Sequence, residues 1–265
     1  MSNATDFNNT GANSQAAIDT RTAAGLIPWA GPLALLVARP VLMIVAQSLT
    51  ALIFLRLHDP APWRTAGYWW KVYGTLVDIG CLAALVYFTR REGIRLRDLL
   101  GPLKMRHGRD VLLGLCYFAM VMPLFILGGM GAHWVVYGSA PDHAAQYLLS
   151  PHPLPLWSTL YSFLVWWVIW SATEEATYQA YTLPRMRALT GRTGLTFAIV
   201  GFVWAFQHTL LPFVPDWKYT AFRSLAFLPG VLALMAIYWR TRRLAPLIVA
   251  HWPMDIVAVL MTTTH

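Results

Sequence analysis

Seven ionisable side chains stand inside otherwise apolar stretches of the sequence: Arg39, Asp78, Glu174, Glu175, His208, His251 and Asp255. Each is costly in an apolar medium unless it is paired or faces a wet cavity, so together they mark where chemistry is done. A carboxylate in a partly dehydrated pocket can act as general base towards water. Imidazoles can share that task, polarise a carbonyl, or bind a metal. Two histidines and a carboxylate with an open position also make a hydrolytic zinc set, here Glu174, His208 and His251. Metal-free and zinc-dependent hydrolysis are both open to these residue types.

The elements that must position them are membrane helices. Of 265 residues, 57% are hydrophobic and 12% charged, and 13 are Trp, more apolar surface than a soluble domain of this size can hide. The excess of Lys and Arg falls in short clusters between apolar runs, which argues for orientation in a bilayer and against nucleic acid as a partner. Cys81 and Cys116 both lie in apolar runs and are expected to be buried, inert thiols. Residues 1–26 are polar, lack signal-peptide features, and are expected to form a disordered tail before a single membrane domain over 27–265.

Windows long enough to span begin near Pro28, Lys71, Val111, Leu156, Gly194, Ala221 and Leu244. They predict an all-α transmembrane bundle of about seven spans, or eight with a re-entrant segment, since Pro40, Pro123, Pro229 and Pro253 lie inside the windows and can kink them. Arg and Lys pile up in alternate loops (Arg90 to Arg109, Arg185 to Arg192, Arg240 to Arg243), which predicts a cytoplasmic N-terminus. At 1.5 Å per residue, Glu174 falls roughly 15 Å, His208 roughly 20 Å, His251 roughly 10 Å and Arg39 roughly 16 Å from the inner ends of their spans. Asp255 follows His251 by one turn and shares its face. A lone histidine in an apolar span is ordinarily a structural hydrogen-bonding group. Several such groups on three helices are harder to explain that way.

Three segments carry a family resemblance: Glu174-Glu175-Ala-Thr-Tyr-Gln179, Trp204-Ala-Phe-Gln-His208 and His251-Trp-Pro-Met-Asp255, with Tyr181-Thr-Leu-Pro184-Arg185 after the first. In order and spacing they resemble the E-E-x-x-x-R, F-x-x-x-H and H-x-x-x-N/D motifs of the CPBP family, which holds the CAAX prenyl endopeptidases and bacteriocin-immunity proteins. The resemblance covers a core at about 156–262. It implies an intramembrane protease in which Glu174 and His208 activate water while His251 and Asp255 stabilise the oxyanion or complete a metal site, Zn being optional. It further implies a membrane-proximal or lipidated protein or peptide as substrate, membrane lipids as surroundings, and a bacterial or archaeal cell membrane as location. Oligomeric state is left open.

Two residues depart from the motifs. Trp204 stands for Phe, an exchange of aromatics. Gln179 stands for Arg, so Glu175 loses its expected cation and needs another partner or a proton. Arg39 is a candidate replacement, against the simpler expectation that Asp78 neutralises it. The loss leaves a catalytically silent scaffold or immunity protein as the alternative, with a proton-linked transporter behind it. His133, His143 and His152 near Asp142 are expected to be solvated loop residues, and Trp166, Trp167 and Trp170 to serve as interface anchors and packing.

Overall fold

The computed structural model describes residues 11–101, 107–138, 145–150 and 153–263, and among them every regular element is helical. Five helices are long and apolar enough to cross a membrane: α2 (Ala30–Arg56), α4 (Trp70–Arg91), α5 (His107–Tyr137), α11 (Trp217–Thr241) and α12 (Ala245–Thr263). Their outward faces expose Leu52, Ile79, Leu127, Leu225 and Leu260, as a helix solvated by lipid must. The protein is an integral membrane protein. Shorter elements complete the chain: α1 (Gln15–Ala23), α3 (Pro62–Tyr68) and α6 (Ala145–Leu148).

The fourth apolar window is one interrupted helix. It comprises α7 (Leu156–Tyr161), a π segment (Ser162–Trp166), α8 (Trp167–Glu175), a second π segment (Ala176–Thr182) and α9 (Leu183–Thr190). Wider i→i+5 turns gather at functional sites, where they redirect side chains. Hydroxyls along this helix cannot find water in an apolar bundle, so Ser162, Ser171 and Thr177 each donate to the carbonyl four residues back.

Helix α10 (Thr193–Gln207) stops short of the predicted fifth window, which ran on to residue 213. Pro212 is the reason. Its ring disfavours helix at Leu211 and would clash with the carbonyl of His208, so the chain unwinds at His208 and turns through the Leu210–Phe213 bridge. The next helix, α11, restarts on Asp216, whose carboxylate accepts from the N–H groups of Lys218 at 2.8 Å and Tyr219 at 3.3 Å.

Residues 11–26 are not the disordered tail that their composition suggests. Ser14 caps α1, Ile18 is fully buried, and the Asn13 amide donates to the Ala180 carbonyl at 2.9 Å. Pro184 has no N–H for that carbonyl four residues earlier, so an incoming side chain satisfies it instead. Residues 1–10 lie outside the described segments.

All three basic loops meet at one end of the bundle. Arg185 binds Glu92, Arg243 pairs with Asp110, and the Leu244 N–H donates to Leu100 O. Close approach of α5 to α12 depends on Gly114, where a Cβ would stand 2.8 Å from Pro246 O. Cys81 is buried as expected, but Cys116 is exposed on the outer face of α5. His133 sits in α5 with its ring against Tyr137, while Asp142, His143 and His152 lie outside the described residues.

Candidate active site

Arg39, fully buried in α2, is the centre of the arrangement. Its Nε donates to Gln207 Oε1 at 3.1 Å, one terminal nitrogen to Asp78 Oδ1 at 3.1 Å, and the other to Glu174 Oε2 at 3.3 Å. The guanidinium lies 3.9 Å over the Trp170 ring. Asp78 Oδ1 accepts as well from Thr173 at 2.6 Å. Two carboxylates on one planar cation, each held by a further donor, is how a membrane interior carries such charges.

Glu174 is fully buried, yet it lines a cavity of about 330 Å³ together with His208, His251, Asp255 and several aromatic and aliphatic side chains. Its Oε1 accepts the Trp204 indole N–H at 2.5 Å. Trp204 is in turn fixed by stacking on Tyr178, ring centroids 5.4 Å apart and 13° from parallel. His208 follows α10 where the helix ends, and its Nδ1 lies 3.0 Å from the Trp204 carbonyl. A carbonyl only accepts, so Nδ1 carries a hydrogen, and when the ring is neutral Nε2 keeps its lone pair. That Nε2 is 3.7 Å from Glu174 Oε1. The ring is stacked on Phe227 at 3.8 Å.

Beside this pair lies a second one. Glu175 Oε1 takes His251 Nδ1 at 2.9 Å, and Gln179 donates to Glu175 Oε2. His251 Nε2 is 3.6 Å from Asp255 Oδ1, the one-turn relation that the spacing predicts. Among the described residues Asp255 Oδ2 has no hydrogen-bond partner although it is buried.

The structure therefore brings together Arg39, Glu174, Glu175, Gln179, Trp204, His208, His251 and Asp255. It corrects one expectation: Arg39 does not compensate for Gln179. Its donors are taken by Asp78, Glu174 and Gln207, as the simpler expectation had it for Asp78, and Glu175 finds its partner in His251. Trp166 and Trp170 pack in the core, as expected for packing residues, and line the cavity. Gln207, Thr173 and Tyr178 were not singled out in the sequence. The first two are neutral polar residues directly beside motif residues, and that adjacency was the available signal.

A zinc ion does not fit this donor set. Among the described residues no three His, Cys, Asp or Glu side chains are disposed to hold a metal. Glu174 presents its oxygens to an indole N–H and a guanidinium, and His251 has a carboxylate near each ring nitrogen. A divalent cation would have to compete with Arg39 and the Trp204 N–H for Glu174 and with Glu175 and Asp255 for His251.

Residues 156–257 match the family of Rce1-like type II CAAX prenyl endopeptidases. The matched segment contains all three motifs, so the resemblance read from them holds there. No curated protein and no solved structure matches the chain.

Proposed function

We propose that the protein is an intramembrane endopeptidase that hydrolyses a peptide bond in a membrane-proximal or lipidated protein or peptide, in a bacterial or archaeal cell membrane, with Glu174 activating water. The observation that carries the reading is the pairing of Glu174 Oε1 with His208 Nε2, 3.7 Å apart on a cavity wall. Both atoms accept, and the distance is too long for a direct hydrogen bond. A water molecule donating one hydrogen to each satisfies both and turns its oxygen lone pair into the cavity.

In this mechanism the water oxygen attacks the carbonyl carbon while its proton passes to Glu174. The carboxyl then returns that proton to the amide nitrogen as the C–N bond breaks. Arg39 and the Trp204 N–H hold the carboxylate in one orientation throughout. His251, protonated on both nitrogens, gives its Nδ1–H to Glu175 and offers its Nε2–H on the same cavity to the oxyanion, with Asp255 in support.

The test is cleavage of a membrane-inserted peptide library by the purified protein. Glu174→Gln and His208→Ala each lower the rate by about 10²–10⁴-fold if these residues act on water, with insertion and yield retained. Unchanged cleavage in either variant overturns the mechanism. The alternative is a catalytically silent membrane scaffold or immunity protein, favoured by Gln179 in the place of the motif Arg. In that case the cellular phenotype survives both substitutions.

A further inference from the structure

Gln207 closes α10, a largely apolar helix, and its side chain is fully buried. A buried amide is costly unless its neighbours satisfy it, so its partners show what it is there for. Arg39 donates from Nε to Gln207 Oε1 at 3.1 Å, and the Tyr178 hydroxyl donates to the same oxygen at 3.1 Å. Arg39 has no acceptor atom, so the amide must turn its oxygen, not its nitrogen, to this side.

Those two donors lead by separate routes to the two oxygens of Glu174. Arg39 reaches Oε2 directly at 3.3 Å. Tyr178 stacks on Trp204, whose indole N–H holds Oε1 at 2.5 Å. The guanidinium plane rests on Trp170, but a stacked plane can still turn within itself. The bond at Nε stops that turn, and it decides which terminal nitrogen meets Glu174 and which meets Asp78. His208 follows Gln207 directly in the chain, where α10 ends. One side chain thus stands at the root of the imidazole and behind both groups that hold the carboxylate.

The residue type matters as well. An apolar side chain of this size would leave both donors without their acceptor. A carboxylate would be a third acid on a guanidinium that already serves Asp78 and Glu174, and would draw it away from Glu174. An amide oxygen accepts twice and brings no charge. We propose that Gln207 is a positioning residue whose neutral amide oxygen sets the Arg39 guanidinium and, through it, the Glu174 carboxylate. The inference rests on the proteolytic reading, since it takes Glu174 to be the base that activates water.

The test reads rate and structure separately. The full chain in detergent is assayed for peptide cleavage, and the Arg39 Nε–H is followed by nuclear magnetic resonance in protein labelled on arginine nitrogen, identified by its contact with the Trp170 ring. Gln207→Glu keeps an acceptor for both donors, so it should insert and melt like the wild type. It is expected to move the Arg39 signal and to lower kcat by about 10–100-fold with KM unchanged. Gln207→Met removes the acceptor and lowers kcat at least as far. A Gln207→Glu protein that cleaves at the wild-type rate overturns the proposal, because any acceptor would then serve. So does a loss that resides in KM, which makes Gln207 a substrate contact, or an Arg39 signal that neither substitution moves. A wild type that cleaves no peptide, with an Arg39 signal that both substitutions move, refutes the proteolytic reading and upholds Gln207 as the residue that orients Arg39.

Discussion

Two buried ionic clusters hang from the same interrupted helix, one around Glu92 and Arg185 and one around Arg39 and Glu174. In the first, Arg185 meets Glu92 through Nε at 2.8 and 3.0 Å and through a terminal nitrogen at 2.7 Å. Tyr181 adds its hydroxyl to Glu92 at 2.6 Å and its ring beneath the guanidinium at 4.0 Å. The remaining Arg185 nitrogen is taken by Asn13 Oδ1 and the carbonyls of Ala180 and Tyr181. In the second, separations of 3.3, 3.6 and 3.7 Å occur, and among the described residues Asp78 Oδ2 and Asp255 Oδ2 are left without partners. Both Glu92 oxygens are bonded directly, with Arg21 Nε standing off at 3.9 Å at the edge of the pair. Such a bidentate pair fixes structure, whereas a spare carboxylate oxygen beside a cavity leaves room for a reacting molecule. Charge burial alone does not separate scaffold from chemistry. Whether the carboxylate oxygens are all bonded does.

The contrast can be broken at its tight end first. Arg185→Ala leaves buried Glu92 with only Arg21, 3.9 Å away, as a cation among the described residues and is expected to cost about 3 kcal/mol, read as a lowered midpoint of thermal unfolding in detergent and as reduced yield. Should the melting midpoint stay within a degree or two of the wild type, the Glu92 cluster is not the structural clamp described here. Trp204→Phe sharpens the loose end. It deletes the indole N–H on Glu174 Oε1 but keeps an aromatic on Tyr178, so peptide cleavage should fall by about tenfold with little change in melting. Loss of fold without a change in rate would assign Trp204 to packing.

The smallest effect lies outside both clusters, at Asp216. Although burial works against its charge, the Tyr147 hydroxyl and the N–H groups of Tyr219 and Lys218 hold its carboxyl below the usual range. Its folded-state value is lowered, so its contribution to stability is present above the unfolded value and is lost as pH falls through the lowered one. Asp216→Ala should cost about 1 kcal/mol at neutral pH and flatten the acid limb of the unfolding profile. A variant as stable as the wild type under both conditions would show that α11 needs no cap.

Much of the loose cluster was legible in the sequence because its residues interrupt apolar runs. Glu174, Glu175, His208, His251 and Asp255 stand out for that reason, and the one-turn spacing of His251 and Asp255 carries straight into the structure. The tight cluster was not legible. Glu92 and Arg185 sit among basic loop residues, where charge is unremarkable, and their pairing joins positions far apart in the chain. Asn13 was hidden by the polar composition around it, since its role depends on a carbonyl that Pro184 leaves free. Likewise the window from Gly194 measured apolarity, not helix. It therefore overran the break at His208 that Pro212 imposes.

The π segment Ala176–Thr182 lies between the two clusters and acts as their phase setting. A π turn accommodates about one residue more than an α turn, and one residue of α-helix corresponds to about 100° of rotation. Deleting any single residue between Glu175 and Arg185 would let this stretch relax to α geometry or swing one cluster around the axis relative to the other. Glu174 and Arg185 cannot both keep their partners on α2 and α4 unless that count is preserved. The length of this short stretch is thus as much a part of the site as the identity of its acids, and it should tolerate exchange of residues far better than loss of one.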